Sequence, residues 1–199
     1  VSYDLVQLPE AGAYMVDRLQ ELGGGVNLEI ETVLRKLQQK KGIRVSLYSL
    51  ESQRLGLSII EKYATEMQKE ILGKIVEELR SIPVRICAIH GDLTPRNVMR
   101  NDIGLCLIDL DRFTVRGLPT IDRLHYFVEE HSKKIGMNSY EYMKGDIANV
   151  IEETGLTVYE VVSYVFFRLG VEDRDGYKLS KKYYFRVLSL IEAVCEYKV

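Results

Sequence analysis

The sequence predicts a mainly α-helical domain with a small β-hairpin at its centre. Three observations carry this expectation. Apolar residues step by three or four along most of the chain, the period of a helix face. That pattern gives way between residues 84 and 108 to short β-prone runs. Turn chemistry at Asn101, Asp102, Ile103 and Gly104 separates two of those runs.

In order along the chain, residues 12–22 and 28–40 read as helices, with Gly23, Gly24 and Gly25 as the loop between them. Arg44, Val45, Ser46 and Leu47 form a strand-like run. Ile60, Tyr63, Met67, Ile71, Ile75 and Leu79 then share one face of a single long helix, which Pro83 ends. Val84, Arg85, Ile86, Cys87, Ala88 and Ile89 read as one strand. Val98 and Met99 begin another, and Leu105, Cys106, Leu107 and Ile108 are of strand length. Helical spacing resumes with Ile121, Leu124, Val128 and Ile135. It continues with Val158, Val161, Val162 and Val165, where β-branching makes strand the competing reading. Residues 170–178, with Glu172, Asp173, Arg174 and Asp175, read as a charged loop. Tyr184, Val187, Leu188, Ile191 and Cys195 mark a last helix. The chain thus divides into a helical part (1–83), a central loop and hairpin (84–113) and a second helical part (114–199) of one domain.

Bulk properties narrow the function classes. At 199 residues the chain is one domain or one lobe of a larger enzyme. Hydrophobic residues at 46% and charged residues at 28% fit a folded, soluble chain. A net charge of -2 gives no basic surface for nucleic acid. No apolar run approaches the ~20 residues of a membrane span. The start, Val1 to Leu5, lacks the features of a signal peptide and has no Met, so the chain reads as trimmed or excised. Three scattered cysteines, Cys87, Cys106 and Cys195, argue against disulfides or a zinc site. Cys87 and Cys106 read as buried thiols in a cytoplasmic protein.

The chemistry concentrates in His90, Gly91, Asp92, Leu93, Thr94, Pro95, Arg96 and Asn97, followed by Ile108, Asp109, Leu110 and Asp111. Phosphoryl transfer from ATP needs a carboxylate beside the acceptor hydroxyl and hard oxygen ligands for Mg²⁺. Asp92 can supply the first. Asn97 and Asp109 can supply the second, provided a hairpin between them returns Asp109 beside Asn97. The remaining polar residues have plainer readings. Arg96 and Arg112 read as solvated or salt-bridged rather than phosphate-binding, Asp111 as a surface or loop-capping residue rather than a metal ligand, and His125 and His131 as partly buried helix residues rather than ligands.

This segment resembles the His-Gly-Asp…Asn and Ile-Asp motifs of the aminoglycoside phosphotransferase and choline kinase group, a branch of the protein-kinase-like fold. Gly91 and Thr94 stand where protein kinases usually carry Arg and Lys, which favours the small-molecule branch. The resemblance covers roughly residues 84–130 and implies a C-terminal helical lobe of a protein-kinase-like α+β fold. It implies Asp92 as catalytic base, Asn97 and Asp109 as Mg²⁺ and ATP ligands, and His90 as structural support. The segment from Gly117 to Leu124 resembles the family's lead into the next helix, which implies that Asp122 anchors the catalytic loop. It also implies that acidic loops of the lobe can bind cationic acceptors.

The family's N-terminal β-lobe, with its phosphate-covering loop and lysine, is not evident in the residues before His90. Two expectations follow. Either the chain is the catalytic lobe of a larger kinase acting on a small-molecule hydroxyl, its partner lobe encoded upstream, or it is a non-catalytic pseudokinase-like scaffold. Antibiotic, amine alcohol, sugar and glycan precursor all remain open as acceptors.

Overall fold

A computed structural model describes residues 20–21, 28–38, 43–101 and 104–197. Within them the periodic pattern becomes eight α-helices and seven short strands. The architecture is mainly helical with small antiparallel sheets, as the periodicity predicts. The first strand, β1 (Gln20–Glu21), replaces the end of the helix expected over 12–22. The rest of that helix and the triple glycine lie outside the described residues. Helix α1 (Leu28–Gln38) falls within the second expected helix. Strand β2 (Arg44–Ser46) follows.

The long helix expected from Ile60 to Leu79 is two helices. Helix α2 (Glu51–Glu61) stops, and α3 (Glu66–Ser81) starts afresh at Thr65. The Thr65 hydroxyl accepts from Gln68 N–H, and the Gln68 side chain accepts from Thr65 N–H. This capping box satisfies two donors that an uninterrupted helix would bond internally. Tyr63 therefore sits in the turn, its ring stacked on Tyr184 at 4.0 Å, and Met67 is solvent-exposed rather than core.

The expected strand over 84–89 also divides, into β3 (Pro83–Arg85) and β4 (Cys87–Ile89). β3 pairs antiparallel with β2, and β4 with β7 (Thr114–Gly117), a strand the periodicity did not reveal. Strands β5 (Val98–Asn101) and β6 (Gly104–Leu107) form the central hairpin in the register Val98↔Leu107, and β1 adds to its open edge. Cys87 is buried, but Cys106, on β6, is only half-buried.

Helices α4 (Pro119–Lys134), α5 (Ser139–Gly145), α6 (Ile147–Thr154), α7 (Val158–Arg174) and α8 (Lys181–Tyr197) complete the chain. Ile135 lies just past α4 and is exposed. A second capping box, Thr157 with Glu160, starts α7 and resolves the helix-or-strand ambiguity of its valines. The helix runs on through Arg174, so the expected charged loop at 170–178 is helical in its first part.

Helix α7 is the axis of the main core. Val161, Val162, Val165, Phe166 and Leu169 are essentially inaccessible, each contributing about 1.5–3 kcal/mol by burial. Helix α2 crosses α7 closely because Gly56 has no side chain: a Cβ there would lie 2.0 Å from the Phe166 carbonyl oxygen. A smaller core of Ile30, Leu34, Leu93, Val98 and Tyr126 sits under the central hairpin. Leu93 plugs the loop that begins at His90 into this core, so the loop is fixed from below by packing.

Candidate active site

Between β4 and β5 the chain makes a tight loop whose backbone is held by one buried carboxylate. Asp122, in the first turn of α4, accepts from His90 N–H at 2.7 Å and Gly91 N–H at 2.8 Å, one on each oxygen. Burial raises its pKa while these two bonds and the nearby His90 lower it, and the result is a shift up to about 6. Gly91 is in the left-handed region, φ 82, and a Cβ on it would lie 2.4 Å from the Arg112 carbonyl oxygen. Only glycine meets both conditions.

The His90 ring is fully buried and ties the two halves of the site together. Its Nε2 lies 2.8 Å from the carbonyl oxygen of Ile108, which can only accept, so Nε2 carries the proton. Nδ1 faces the Asp92 N–H at 3.4 Å. Ile108 directly precedes Asp109, so His90 spans from the Asp92 loop to the Asp109 turn.

The hairpin sets Asn97 and Asp109 at its base. Ile108 N–H donates to the Asn97 carbonyl at 3.0 Å, which continues the ladder one residue beyond Val98 and Leu107. The Asn97 amide nitrogen donates to the Asp92 carbonyl at 2.9 Å, which commits Nδ2 and leaves the amide oxygen outside that bond. Asp109 is exposed and has φ 60, the one non-glycine residue in the left-handed region among those described. Its carboxylate makes no hydrogen bond to another described residue. A non-glycine backbone in this region carries strain, a pattern found where geometry serves a site.

Asp92 is the most heavily engaged group. Its Oδ1 accepts from Arg168 Nη1 at 2.7 Å, His125 Nε2 at 3.0 Å and Arg112 Nη1 at 3.2 Å. Its Oδ2 makes no hydrogen bond among the described residues. Burial acts to raise the Asp92 pKa, but the His125 bond and the Arg168 charge outweigh it and hold the carboxyl well below the usual range. His125 is itself buried, which lowers its pKa and favours the neutral ring. Since Nε2 donates to Asp92, Nδ1 accepts from the Tyr164 hydroxyl at 2.8 Å. Tyr164, His125 and Asp92 thus form one directed chain of hydrogen bonds.

Oδ1 is anchored from α7 and from the loop after Asp109. Arg168 also reaches Glu172 at 3.3 Å, and Glu172 accepts from the Tyr183 hydroxyl at 2.6 Å. Arg112 binds Asp175 at 2.8 Å. These groups surround a cavity of about 360 Å³, lined by Asp92, Arg112, Glu129, Arg168, Glu172 and Tyr177 among others. Its volume is in the range of small-molecule sites.

Of the residues singled out from sequence, His90, Asp92, Asn97 and Asp122 meet in one bonded unit, and Asp109 lies one residue from the bond that closes the hairpin. His125, read from sequence as an ordinary helix residue, touches Asp92, and Arg112, read as solvated or salt-bridged, is salt-bridged to Asp92 and Asp175. Arg168 and Tyr164 were missed. The available signal was Arg168 as a lone charge in the apolar run from Val161 to Val171, with Tyr164, Arg168 and Glu172 spaced four apart on one face. Among the described residues no group of three or more His, Cys, Asp or Glu side chains could hold a metal. Asn97 and Asp109 carry an amide oxygen and a carboxylate, the hard oxygen donors that Mg²⁺ takes beside phosphate and water.

No family model and no curated protein matches the chain. Among solved structures, choline kinase LicA from Streptococcus pneumoniae is similar, with a TM-score of 0.49 and 15% identity over 85% of this chain. The chain spans 63% of the length of that structure. No described helix is long and apolar enough to cross a membrane.

Proposed function

We propose that this chain is the catalytic helical lobe of a kinase-type phosphotransferase that moves a phosphoryl group from ATP to a hydroxyl of a small molecule. The observation that carries the reading is Asp92: a carboxylate fixed through one oxygen, the other making no hydrogen bond among the described residues, at the edge of a cavity of about 360 Å³. In this reading Asp92 Oδ2 receives the acceptor's hydroxyl hydrogen and aims the oxygen at the γ-phosphorus. The new O–P bond forms, the bond from the γ-phosphorus to the β–γ bridging oxygen breaks, and the proton passes to Oδ2. Asn97 and Asp109 would hold Mg²⁺, whose charge neutralises the phosphates. His90 and Asp122 keep the two halves in register. The motif set resembles that of the aminoglycoside phosphotransferase and choline kinase group, which supports the same assignment. A nucleotide-covering lobe, not evident in the sequence before His90, is part of the proposal.

The test is Mg²⁺-dependent ATP consumption by the longest chain the natural gene encodes, with amine alcohols and sugars as acceptors. Acceptor-stimulated consumption that falls at least about a hundredfold in Asp92→Asn is the expected result. Consumption unchanged in that variant, or no Mg-nucleotide binding at all, would move the assignment to a non-catalytic scaffold.

A further inference from the structure

The cavity beside Asp92 is rich in charge, yet every charge on its wall is paired within the protein. Arg168 is bound to Asp92 and Glu172, and Arg112 to Asp92 and Asp175. Glu172 also accepts from Tyr183. Glu129 is bound to Lys133 at 2.7 Å and Ser139 at 2.6 Å. Burial favours the neutral form of His125. An ammonium group entering here would find no unpaired carboxylate. At Asp92 Oδ2 it would approach two guanidinium groups already within 3.2 Å of the same carboxylate. An anion would find both guanidiniums occupied and three carboxylates facing it. A neutral molecule with several hydroxyls meets neither obstacle. Each hydroxyl donates and accepts, so it can bridge carboxylate oxygens and guanidinium N–H groups without breaking a pair. At the rim Tyr177 is 59% exposed, its ring 5.9 Å from the Arg112 guanidinium, and offers an apolar face beside that polar wall.

We propose that this cavity takes a neutral polyhydroxylated acceptor, a sugar-like ring bearing several free hydroxyls, in place of a cationic or anionic one. As an acceptor assignment this rests on the phosphotransfer reading; as a binding site it stands on the paired charges alone.

The three histidines make the site observable. His125 lines the cavity, whereas His90 and His131 do not, so their ring signals report the fold. The chain is titrated with methyl glucoside, methyl mannoside and methyl galactoside, and separately with choline and with inorganic phosphate. A saturable shift of His125, half-complete in the millimolar range, is expected with at least one glycoside and with neither ionic probe. Tyr177→Ala and Glu172→Gln should each weaken that glycoside about tenfold while His131 stays in place. Tyr177 is exposed, so its variant tests the site even if the Glu172 change disturbs packing. A saturable His125 shift with choline or phosphate would overturn the proposal, and so would no shift with any glycoside.

The two readings fail separately. Glycoside binding at His125 with no ATP-dependent transfer by the longest natural chain would sink the phosphotransferase and leave the site. Transfer to an amine alcohol but to no sugar would sink the polyol assignment and leave the phosphotransferase.

Discussion

Replacing Arg168 with methionine probes the pinning of Asp92. The guanidinium makes the shortest of the contacts to Oδ1, at 2.7 Å, and a second contact to Glu172. Methionine keeps the aliphatic volume on α7 and removes every donor. Breaking a fully buried ion pair from one side costs about 3–5 kcal/mol. The Asp92 side chain is 28% exposed and retains His125 and Arg112, so the loss is nearer that of a charge-assisted hydrogen bond, about 1.5–3 kcal/mol. In a chain of this size that lowers Tm by roughly 3–12 °C. The penalty has a pH signature. Folded Asp92 stays ionised well below its ordinary pKa of 3.8, so its stabilisation is complete above that value and is lost as pH falls below it. The Arg168→Met penalty is therefore full at neutral pH and shrinks below about pH 4. Urea unfolding of wild type, Arg168→Met, Asp92→Asn and the double variant isolates the pair, with an expected coupling of about 1–3 kcal/mol. Coupling under about 0.3 kcal/mol, or a penalty that grows on acidification, would refute the reasoning.

Three further outcomes follow from the same geometry. Asp109→Asn should weaken Mg-nucleotide binding at least about tenfold in the longest natural chain while barely changing Tm, because the carboxylate is exposed and unbonded; calorimetric titration with and without Mg²⁺ reads this. Asp122 has the opposite pH sign to Asp92: its folded pKa is raised to about 6, so wild type loses stability relative to Asp122→Asn as pH rises through that window and no further above it. Unfolding free energies of the two proteins at a series of pH values check the sign. Gly56→Ala should destabilise by about 1–3 kcal/mol or more, since its Cβ would meet backbone at 2.0 Å where α2 crosses α7, and a variant as stable as wild type would contradict that packing.

The chemistry-bearing loop was legible in sequence because its residues are close together and of diagnostic type. His90 to Asn97 and Ile108 to Asp111 sit at the two ends of a hairpin whose turn residues announce it. What sequence concealed has physical reasons. The long helix expected from Ile60 to Leu79 kept its period across a break, because a capping box two residues before Met67 restarts the helix almost in phase. Strand β7 is exposed at Val115 and Arg116 and shows no apolar alternation, so only its pairing with β4 defines it. Arg168 is 76 residues from Asp92 and reaches it only because α7 packs behind the loop. Periodicity places such a residue on a helix, but only tertiary packing decides which helix face meets which loop.

The pinning of Asp92 bears on how the proposed reaction would run. A carboxylate held so far below its usual pKa is a weak base, which would be a defect if the hydroxyl had to be ionised before attack. Phosphoryl transfer passes through a loose transition state in which the nucleophile carries little negative charge until bond formation is well advanced. Orientation then matters more than basicity. Fixing Oδ1 with donors from α4, from α7 and from the Asp109 turn would restrict the directions in which Oδ2 could hold an acceptor. In the proposed reaction, the same donors that weaken Asp92 as a base would strengthen it as a guide. Loosening them should therefore lower turnover even where the basicity of Asp92 rises. Arg168→Met separates the two effects: turnover that falls as the Asp92 pKa climbs supports orientation, and turnover that increases with it supports proton abstraction.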